Sequence, residues 1–352
     1  MDNQSLEIKS ERTVYFDYLR VFAIFAVIVI HVSAQNWYIT DVNKIYWQTY
    51  NFYESIVRWA VPVFVMISGA LFLEKEIPIR KLYSKYILRL VTAFAFWSLI
   101  YVLFEEGPVL SKISAFARGN YHMWFILMII GLYICIPFFK AIVADEKRVR
   151  YFLVLSLIFA FVIPQMVTVS LDLGNEFIIK GVDVFKSDID KMGVTMVLGY
   201  AGYFVLGYFL NRITLSRKVR IIIYILGLFG FAFTIVADLL VALKTQTYCN
   251  HYYESFNINV LFEALAVFTL FKYAKFDNVK MNRVFKALAK YCFGAYLIHV
   301  LILNLLNDPL GINTLSFNPI LTVPSLSILA FVVSIGISAA INQIPILKKY
   351  IV

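Results

Sequence analysis

The sequence is poor in charged residues and in cysteine. Charged residues make up 15% of its 352 residues, whereas a soluble domain carries about a quarter. Its three cysteines, Cys135, Cys249 and Cys292, show neither metal-ligand spacing nor an even disulfide count, so we expect them to behave as ordinary apolar residues. These shortages argue against a soluble domain and against a disulfide framework.

Several motifs of well-known enzyme classes are missing as well. The sequence contains no HExxH, GxxxxGK[ST], CxxC or GxGxxG segment. Its four histidines, His31, His122, His251 and His299, are scattered without paired spacing, which argues against a structural metal site. We therefore expect no bound metal and no bound cofactor.

Long apolar runs dominate what is present. The chain is 61% hydrophobic with a mean hydropathy of +0.77, and stretches of about twenty apolar residues are typical of membrane helices. The polar start "MDNQSLEIKSERT" and the long apolar run behind it do not resemble a cleavable signal peptide. The sequence predicts an all-α, polytopic membrane protein with ten spans, at 14–34, 52–73, 86–104, 123–143, 151–169, 193–211, 220–240, 256–274, 289–306 and 320–342.

The net charge of +10 is unevenly distributed between the predicted loops. Of 32 Lys and Arg residues, 23 fall on the side that holds both termini, 7 on the opposite side and 2 within spans. Such a bias sets orientation in short loops and favours contact with anionic lipid headgroups. Both termini are therefore predicted to be cytoplasmic. We expect a lipid bilayer, and no nucleic acid, as a partner.

One membrane domain, residues 14–342, is predicted between cytoplasmic tails at 1–13 and 343–352. The longest outer segment, residues 171–193, mixes polar and apolar residues with both signs of charge. It is interpreted as a plain connecting loop, and the alternative is part of an acceptor site.

The first span, "YFDYLRVFAIFAVIVIHVSA" (15–34), carries Asp17, Arg20 and His31. Charged groups inside hydrocarbon cost several kcal/mol and usually face a bundle interior or a wet cavity. Eleven helical steps place Arg20 and His31 on one face, about 16 Å apart along the axis, and Asp17 can pair with Arg20. The alternative is that Arg20 snorkels to the headgroups and His31 ends the span.

The second and fourth spans add two candidates at the predicted depth of His31. Arg58 lies near the outer end of "VRWAVPVFVMISGALFL" (57–73), and His122 opens "YHMWFILMIIGLYICIPFF" (121–139). Ser68 lacks the flanking glycine of a nucleophile elbow and is interpreted as a packing residue. Trp124 taken alone resembles an interfacial anchor.

Two intramembrane residues in later spans are candidates by default, His299 and Glu263. Each can equally be a hydrogen-bonded core residue. Asp238 needs no special role, and His251 is expected to be a solvated loop residue.

Four segments in order resemble the acyltransferase-3 family of bacterial integral membrane acyltransferases. "DYLRVFAIFAVIVIH" is similar to its R-x10-H signature, and "RWAVPVFVMISGALFL" to its second-helix segment. "HMWFILMIIGLYICIPFF" resembles its W-F-[LI]…LY…P block, and "FGAYLIHVLIL" its late Y-L-I-H element. The resemblance covers nearly the whole chain.

The resemblance implies transfer of an acyl group, usually acetyl, from cytoplasmic acyl-CoA as co-substrate to a hydroxyl of a glycan or lipid-linked sugar. It also implies a multi-pass protein of the bacterial cytoplasmic membrane. By their positions in the first-helix motif, Arg20 and His31 are implied to be the catalytic pair. Arg20 and Asp17 are implied to bind the acyl donor. His31 then acts as a general base or carries the acyl group itself. Arg58, His122 and Trp124 are the candidates for oxyanion stabilisation or acceptor binding.

Two other classes remain open at this point. An exporter or flippase of polysaccharide or lipid-linked sugar also places polar residues on inward faces, although the two related halves common in transporters are not evident. A non-catalytic scaffold would tolerate replacement of Arg20 and His31. The sequence favours the enzyme, and it leaves succinyl as an alternative to acetyl.

Overall fold

The computed structural model describes residues 3–174 and 176–352. Helix makes up 78% of the structure, and the described residues contain no β-strand. The all-α prediction is confirmed.

The described residues form eighteen α-helices, with π-helical turns at Leu82–Ile87 and Leu157–Val162 and 3-10 turns at Tyr121–Met123 and Thr195–Val197. The first nine are α1 (Asn3–Ser33), α2 (Ile45–Ser55), α3 (Ala60–Glu74), α4 (Ile79–Lys81), α5 (Leu88–Leu103), α6 (Val109–Arg118), α7 (Trp124–Ile134), α8 (Ile136–Val143) and α9 (Glu146–Ser156). The others are α10 (Ile163–Leu173), α11 (Glu176–Lys191), α12 (Ala201–Arg212), α13 (Arg217–Thr245), α14 (Ile258–Tyr273), α15 (Val279–Ala289), α16 (Cys292–Asn307), α17 (Pro319–Ile341) and α18 (Pro345–Tyr350).

Within the described part of the chain, six helices are long and apolar enough to cross a membrane, or eight if two bent helix pairs each count as one span. The predicted spans at 193–211 and 256–274 correspond to α12 and α14, which have only 12 and 16 residues. A helix needs about twenty residues to cross the hydrocarbon core upright. α12 is short because Gly199, with a φ of +65°, precedes it.

The chain divides into two compact units, and each is built from separate segments. The first comprises Met1–Gln35, Lys75–Phe138 and Lys275–Val352, and the second Asn36–Glu74 and Phe139–Ala274. Distant parts of the sequence therefore meet within each unit.

In the first unit, α1 packs against α15, α16 and α17, and α5 packs against α6, α7 and α18. The segment predicted as a C-terminal tail contains α18 and lies against α5. The indole of Trp97 donates to the Ile351 carbonyl at 3.2 Å, and the Thr92 hydroxyl donates to the Tyr350 carbonyl at 2.6 Å. These bonds hold the end of the chain on the helix bundle.

In the second unit, α3 and α12 approach closely through two glycines. A Cβ built at Gly69 would lie 1.7 Å from the Phe204 carbonyl oxygen, and one at Gly207 would lie 2.0 Å from the Met66 carbonyl oxygen. Small residues let membrane helices pack backbone to backbone.

The segment 171–193 is not the plain loop that the sequence predicted. It contains the 16-residue helix α11. Its apolar residues Ile178, Val182, Phe185 and Ile189 recur at helical spacing, which gives one apolar face opposite the charged one.

Candidate active site

The α1 helix carries the predicted Asp17–Arg20 ion pair. Arg20 Nη1 lies 3.6 Å from Asp17 Oδ1, and both side chains are partly exposed. Lys286 and Lys290 lie close enough to interact electrostatically with the same carboxylate. Arg20, Lys286 and Lys290 thus give the first unit a basic end, suited to binding an anion such as phosphate.

Contacts between α1 and α15 hold this basic end in place. The hydroxyl of Tyr18 donates to the Asn282 side-chain oxygen at 3.0 Å. The Tyr18 ring stacks on Phe285 with 3.8 Å between ring centres. An aromatic and a polar contact therefore hold Lys286 of α15, and Lys290 just after it, near the Asp17 carboxylate.

Three histidines from three chain segments meet in the first unit, and we call them the histidine cluster. They are His31 of α1, His122 of the 3-10 turn Tyr121–Met123 and His299 of α16. The ring centre of His31 lies 5.0 Å from that of His299 and 6.3 Å from that of His122, and the His122 and His299 rings are 5.2 Å apart. The His122 and His299 side chains are buried. The cluster is a set of titratable bases largely shielded from solvent.

Tyrosine rings surround the histidine cluster. Tyr121 lies 5.3 Å from the His31 ring, and Tyr101 and Tyr296 each lie 5.4 Å from the His122 ring, all edge to face. Edge-to-face contacts of this kind stabilise aromatic pairs by about 0.5–1.5 kcal/mol. They restrict the rotation of the imidazoles.

Hydrogen bonds fix the two buried imidazoles further. His122 Nδ1 lies 2.9 Å from the Asn120 side-chain oxygen, and His299 Nδ1 lies 2.7 Å from the Tyr296 carbonyl oxygen. The Tyr296 hydroxyl donates to the backbone carbonyl of His122. A carbonyl only accepts, so His299 carries its proton on Nδ1 and keeps a lone pair on Nε2. No hydrogen-bond partner of Nε2 is found among the described residues.

The hydroxyl of Tyr101 is inserted into the backbone of α16 beside His299. It donates to the Leu297 carbonyl at 2.8 Å and accepts from the Leu301 N–H at 3.1 Å. Those two groups would otherwise pair with each other in an α-helix. The insertion anchors α16 to α5 at the level of His299.

Trp124 lies at the start of α7, two residues after His122, and 45% of it is exposed. Its ring contacts Phe125 edge to face at 6.2 Å. This exposure fits an interfacial anchor.

Arg58 belongs to the second unit, where it is bound by protein groups. Its guanidinium pairs with the buried Glu54 carboxylate and lies 4.1 Å from the ring centre of Tyr253. The Tyr253 hydroxyl in turn donates to the Asn51 side-chain oxygen. An ion pair and a cation–π contact give Arg58 a structural role within this unit.

Glu263 also belongs to the second unit and is fully buried. Its Oε1 accepts from the Thr234 hydroxyl at 2.7 Å, and the Asn259 amide donates to the same hydroxyl at 2.8 Å. This hydrogen-bond network between α13 and α14 accounts for Oε1 of Glu263, whereas no partner of its Oε2 is found among the described residues.

Two residues judged unimportant from sequence have defined partners in the second unit. Asp238 accepts from the Cys249 thiol at 3.0 Å and from the Tyr252 N–H at 3.2 Å. Burial raises the pKa of the Cys249 thiol, so the thiol stays protonated and donates. His251, expected to be solvated, has Nδ1 at 2.8 Å from Asp172 Oδ1.

Sequence analysis missed the residues that hold the histidine cluster in place, Tyr101, Tyr121, Tyr296 and Asn120. In a chain with 23 tyrosines, a tyrosine carries little signal. The spacing of Tyr296 and His299 was informative, because a side chain in a helix reaches the carbonyl three residues earlier.

The chain belongs to the acyltransferase-3 family. The family model, described as an acyltransferase domain, matches residues 13–339, nearly the whole chain. The protein is therefore a member of a family of membrane acyltransferases. No curated protein and no solved structure gave a significant match.

Proposed function

We propose that the protein transfers an acyl group, namely acetyl, from acyl-CoA to a hydroxyl of a cell-surface glycan or a lipid-linked sugar. One observation carries this proposal. In a chain of this family, the apolar part of α1, Val14–Ser33, holds the Asp17–Arg20 pair near its start and His31, within the histidine cluster, near its end. At 1.5 Å per residue the two sites are about 16 Å apart along the helix.

The basic end of the first unit is the proposed donor site. Arg20, with Lys286 and Lys290 beside it, binds the phosphates of acyl-CoA, and Asp17 orients the Arg20 guanidinium. The extended arm of the donor then runs along α1 and places its thioester at the histidine cluster.

His31 is the proposed general base. It takes the proton of the acceptor hydroxyl while the acceptor oxygen bonds to the acyl carbon. The bond from carbon to sulfur breaks, and the departing CoA thiolate takes the proton from His31. The alternative, an acyl group carried on His31, uses the same neighbours.

Trp124 and His122 are the proposed acceptor-binding groups. The exposed Trp124 ring offers an apolar face to a sugar ring beside the cluster, and His122 offers a fixed imidazole within it. Arg58 remains a predicted acceptor or oxyanion group, although its partners Glu54 and Tyr253 already account for its position.

We further propose ten membrane spans in the bacterial cytoplasmic membrane, with both termini in the cytoplasm. The six long helices and the two bent pairs give eight, and the shorter helices α12 and α14 supply the other two. The one-sided distribution of Lys and Arg supports this orientation. It places the basic end of the first unit on the cytoplasmic side, where acyl-CoA is found.

The test is transfer from radiolabelled acetyl-CoA by the protein in nanodiscs, with a bacterial glycolipid extract as acceptor. We expect His31→Ala to lower turnover by at least 100-fold, since general base catalysis is typically worth 10²–10⁴. Arg20→Ala should weaken binding of a non-hydrolysable acyl-CoA analogue, measured without any acceptor. The matched control is His251→Ala, which changes a histidine of the second unit and should leave both readouts unchanged.

Equal turnover in the wild type, His31→Ala and Arg20→Ala would refute the assignment. An exporter or flippase would move labelled glycolipid across the nanodisc or vesicle membrane without consuming acetyl-CoA. Analogue binding lost in Arg20→Ala but kept in His31→Ala would separate the donor site from the histidine cluster.

A further inference from the structure

The Nε2 atom of His299 carries a buried lone pair that has no role in the proposed mechanism. His299 is fully buried, and its Nδ1–H is held by the Tyr296 carbonyl at 2.7 Å. Its Nε2 has no hydrogen-bond partner among the described residues. Leaving a buried acceptor unpaired costs about 1–3 kcal/mol. We therefore expect Nε2 of His299 to accept a hydrogen bond during catalysis.

His31 is the neighbour placed to supply that partner. Its ring centre lies 5.0 Å from that of His299, with the planes inclined by 35°. At this separation a modest rotation of the His31 side chain brings a ring nitrogen within hydrogen-bonding distance of Nε2.

The His299 imidazole is held too firmly to serve as a mobile group. The Tyr101 hydroxyl bridges Leu297 and Leu301 on either side of it. The Tyr296 carbonyl fixes its tautomer. A rigid hydrogen-bond acceptor fixes the tautomer and the ring orientation of a histidine base that pairs with it.

We propose that His299 is a positioning residue for His31. Its Nε2 accepts the N–H of His31 on the nitrogen that faces away from substrate, and the other nitrogen of His31 takes the proton of the acceptor hydroxyl. When His31 becomes the imidazolium, the same hydrogen bond holds it until the proton passes to the departing thiolate. This inference rests on the proposed function of His31.

Two conservative variants test the roles of the two ring nitrogens of His299 separately. In His299→Asn the amide reaches the position of Nδ1 and keeps a donor for the Tyr296 carbonyl, but no atom lies at the position of Nε2. In His299→Gln the longer side chain places an oxygen acceptor at the position of Nε2. A purely structural role would favour Asn, whereas a positioning role favours Gln.

The experiment measures acetyl transfer by both variants in nanodiscs. We expect His299→Asn to lower kcat about 100-fold with the KM for acetyl-CoA unchanged, because the proposed donor site lies about 16 Å from His31 along α1. His299→Gln should retain most of the wild-type kcat. Equal loss in both variants, or equal retention, would overturn the proposal.

A second readout needs no acyl transfer. Diethyl pyrocarbonate modifies neutral imidazole, and mass spectrometry gives the rate at His31, with His251 in the same sample as the internal reference. A hydrogen bond to His299 makes His31 more nucleophilic, so the rate at His31 should fall in His299→Asn and be kept in His299→Gln. If the wild type transfers no acetyl group, the proposed function fails. The ratio of the modification rates at His31 and His251 still tests whether His299 pairs with His31. A ratio that is unchanged in His299→Asn overturns this pairing.

Discussion

At the scale of single residues, the same pair of residue types occurs twice in very different surroundings. Glu54 and Arg58 form an ion pair four residues apart on the chain, with side chains 1% and 20% exposed. Glu146 and Arg150 form another with the same spacing, with side chains 65% and 67% exposed. The pairs share their chemistry and differ in burial.

Replacing the arginine should therefore have unequal effects on stability. Arg58→Ala takes the ion-pair partner from a buried carboxylate and should cost about 3–5 kcal/mol. Arg150→Ala should cost less than about 1 kcal/mol. Thermal unfolding of both variants in detergent, followed by intrinsic fluorescence, measures the difference. Equal unfolding temperatures would mean that Arg58 does not stabilise the second unit.

Sequence analysis predicted part of the site at this scale. The spacing of Asp17, Arg20 and His31 was sufficient because all three lie on one continuous helix, α1. The approach of His299 to His31 could not be predicted, since periodicity gives the position of a residue along its helix and not the side from which another helix packs against it.

At the scale of helices, close packing of α3 against α12 depends on glycine. Gly207→Ala would place a methyl group 2.0 Å from the Met66 carbonyl oxygen, and the helices would have to separate. Overpacking of this kind costs about 1–3 kcal/mol. We expect a lower unfolding temperature and a smaller yield of monodisperse protein in size-exclusion chromatography.

Gly336→Ala is the matched control for that variant. Gly336 lies within α17, and nothing lies within 4 Å of the position of its Cβ. Alanine favours helix over glycine by roughly 1 kcal/mol, so this variant should be as stable as the wild type or more stable. A Gly207→Ala protein that behaves like Gly336→Ala would contradict the close approach.

Helix existence was easier to predict than helix length. The apolar runs located the six helices long enough to cross a membrane and the two bent helix pairs, whereas α12 begins only at Ala201 because Gly199 adopts a positive φ. The sequence predicts a loop where α11 lies because charged and apolar residues are interspersed there, and only the amphipathic spacing of the apolar residues indicates a helix.

At the scale of the whole molecule, the ten-span topology can be tested by labelling single cysteines. Asn43→Cys and Asp308→Cys lie in loops predicted outside, and Thr214→Cys and Asp277→Cys in loops predicted inside; all four positions are exposed. A membrane-impermeant maleimide added to intact cells should label the first two only. Labelling of Thr214→Cys or Asp277→Cys without permeabilisation would refute the topology.

The native cysteines leave a suitable background for that experiment. Cys249 and Cys292 are buried, and burial raises the pKa of the Cys249 thiol, so it carries little of the reactive thiolate at neutral pH. Only Cys135 needs replacement, by serine. Keeping Cys249 preserves its hydrogen bond to Asp238.

The assembly of the first unit from three separated segments has a consequence for biosynthesis. Its last segment begins at Lys275, and His299 follows still later, so a nascent chain has inserted most of its helices before the third imidazole is made. A ribosome-bound or prematurely ended chain that stops before α16 contains every segment of the second unit, yet it lacks a complete histidine cluster. If His31 and its two histidine neighbours act together in acyl transfer as proposed, transfer begins only after α16 has been made, and a chain that stops before α16 should consume no acyl-CoA.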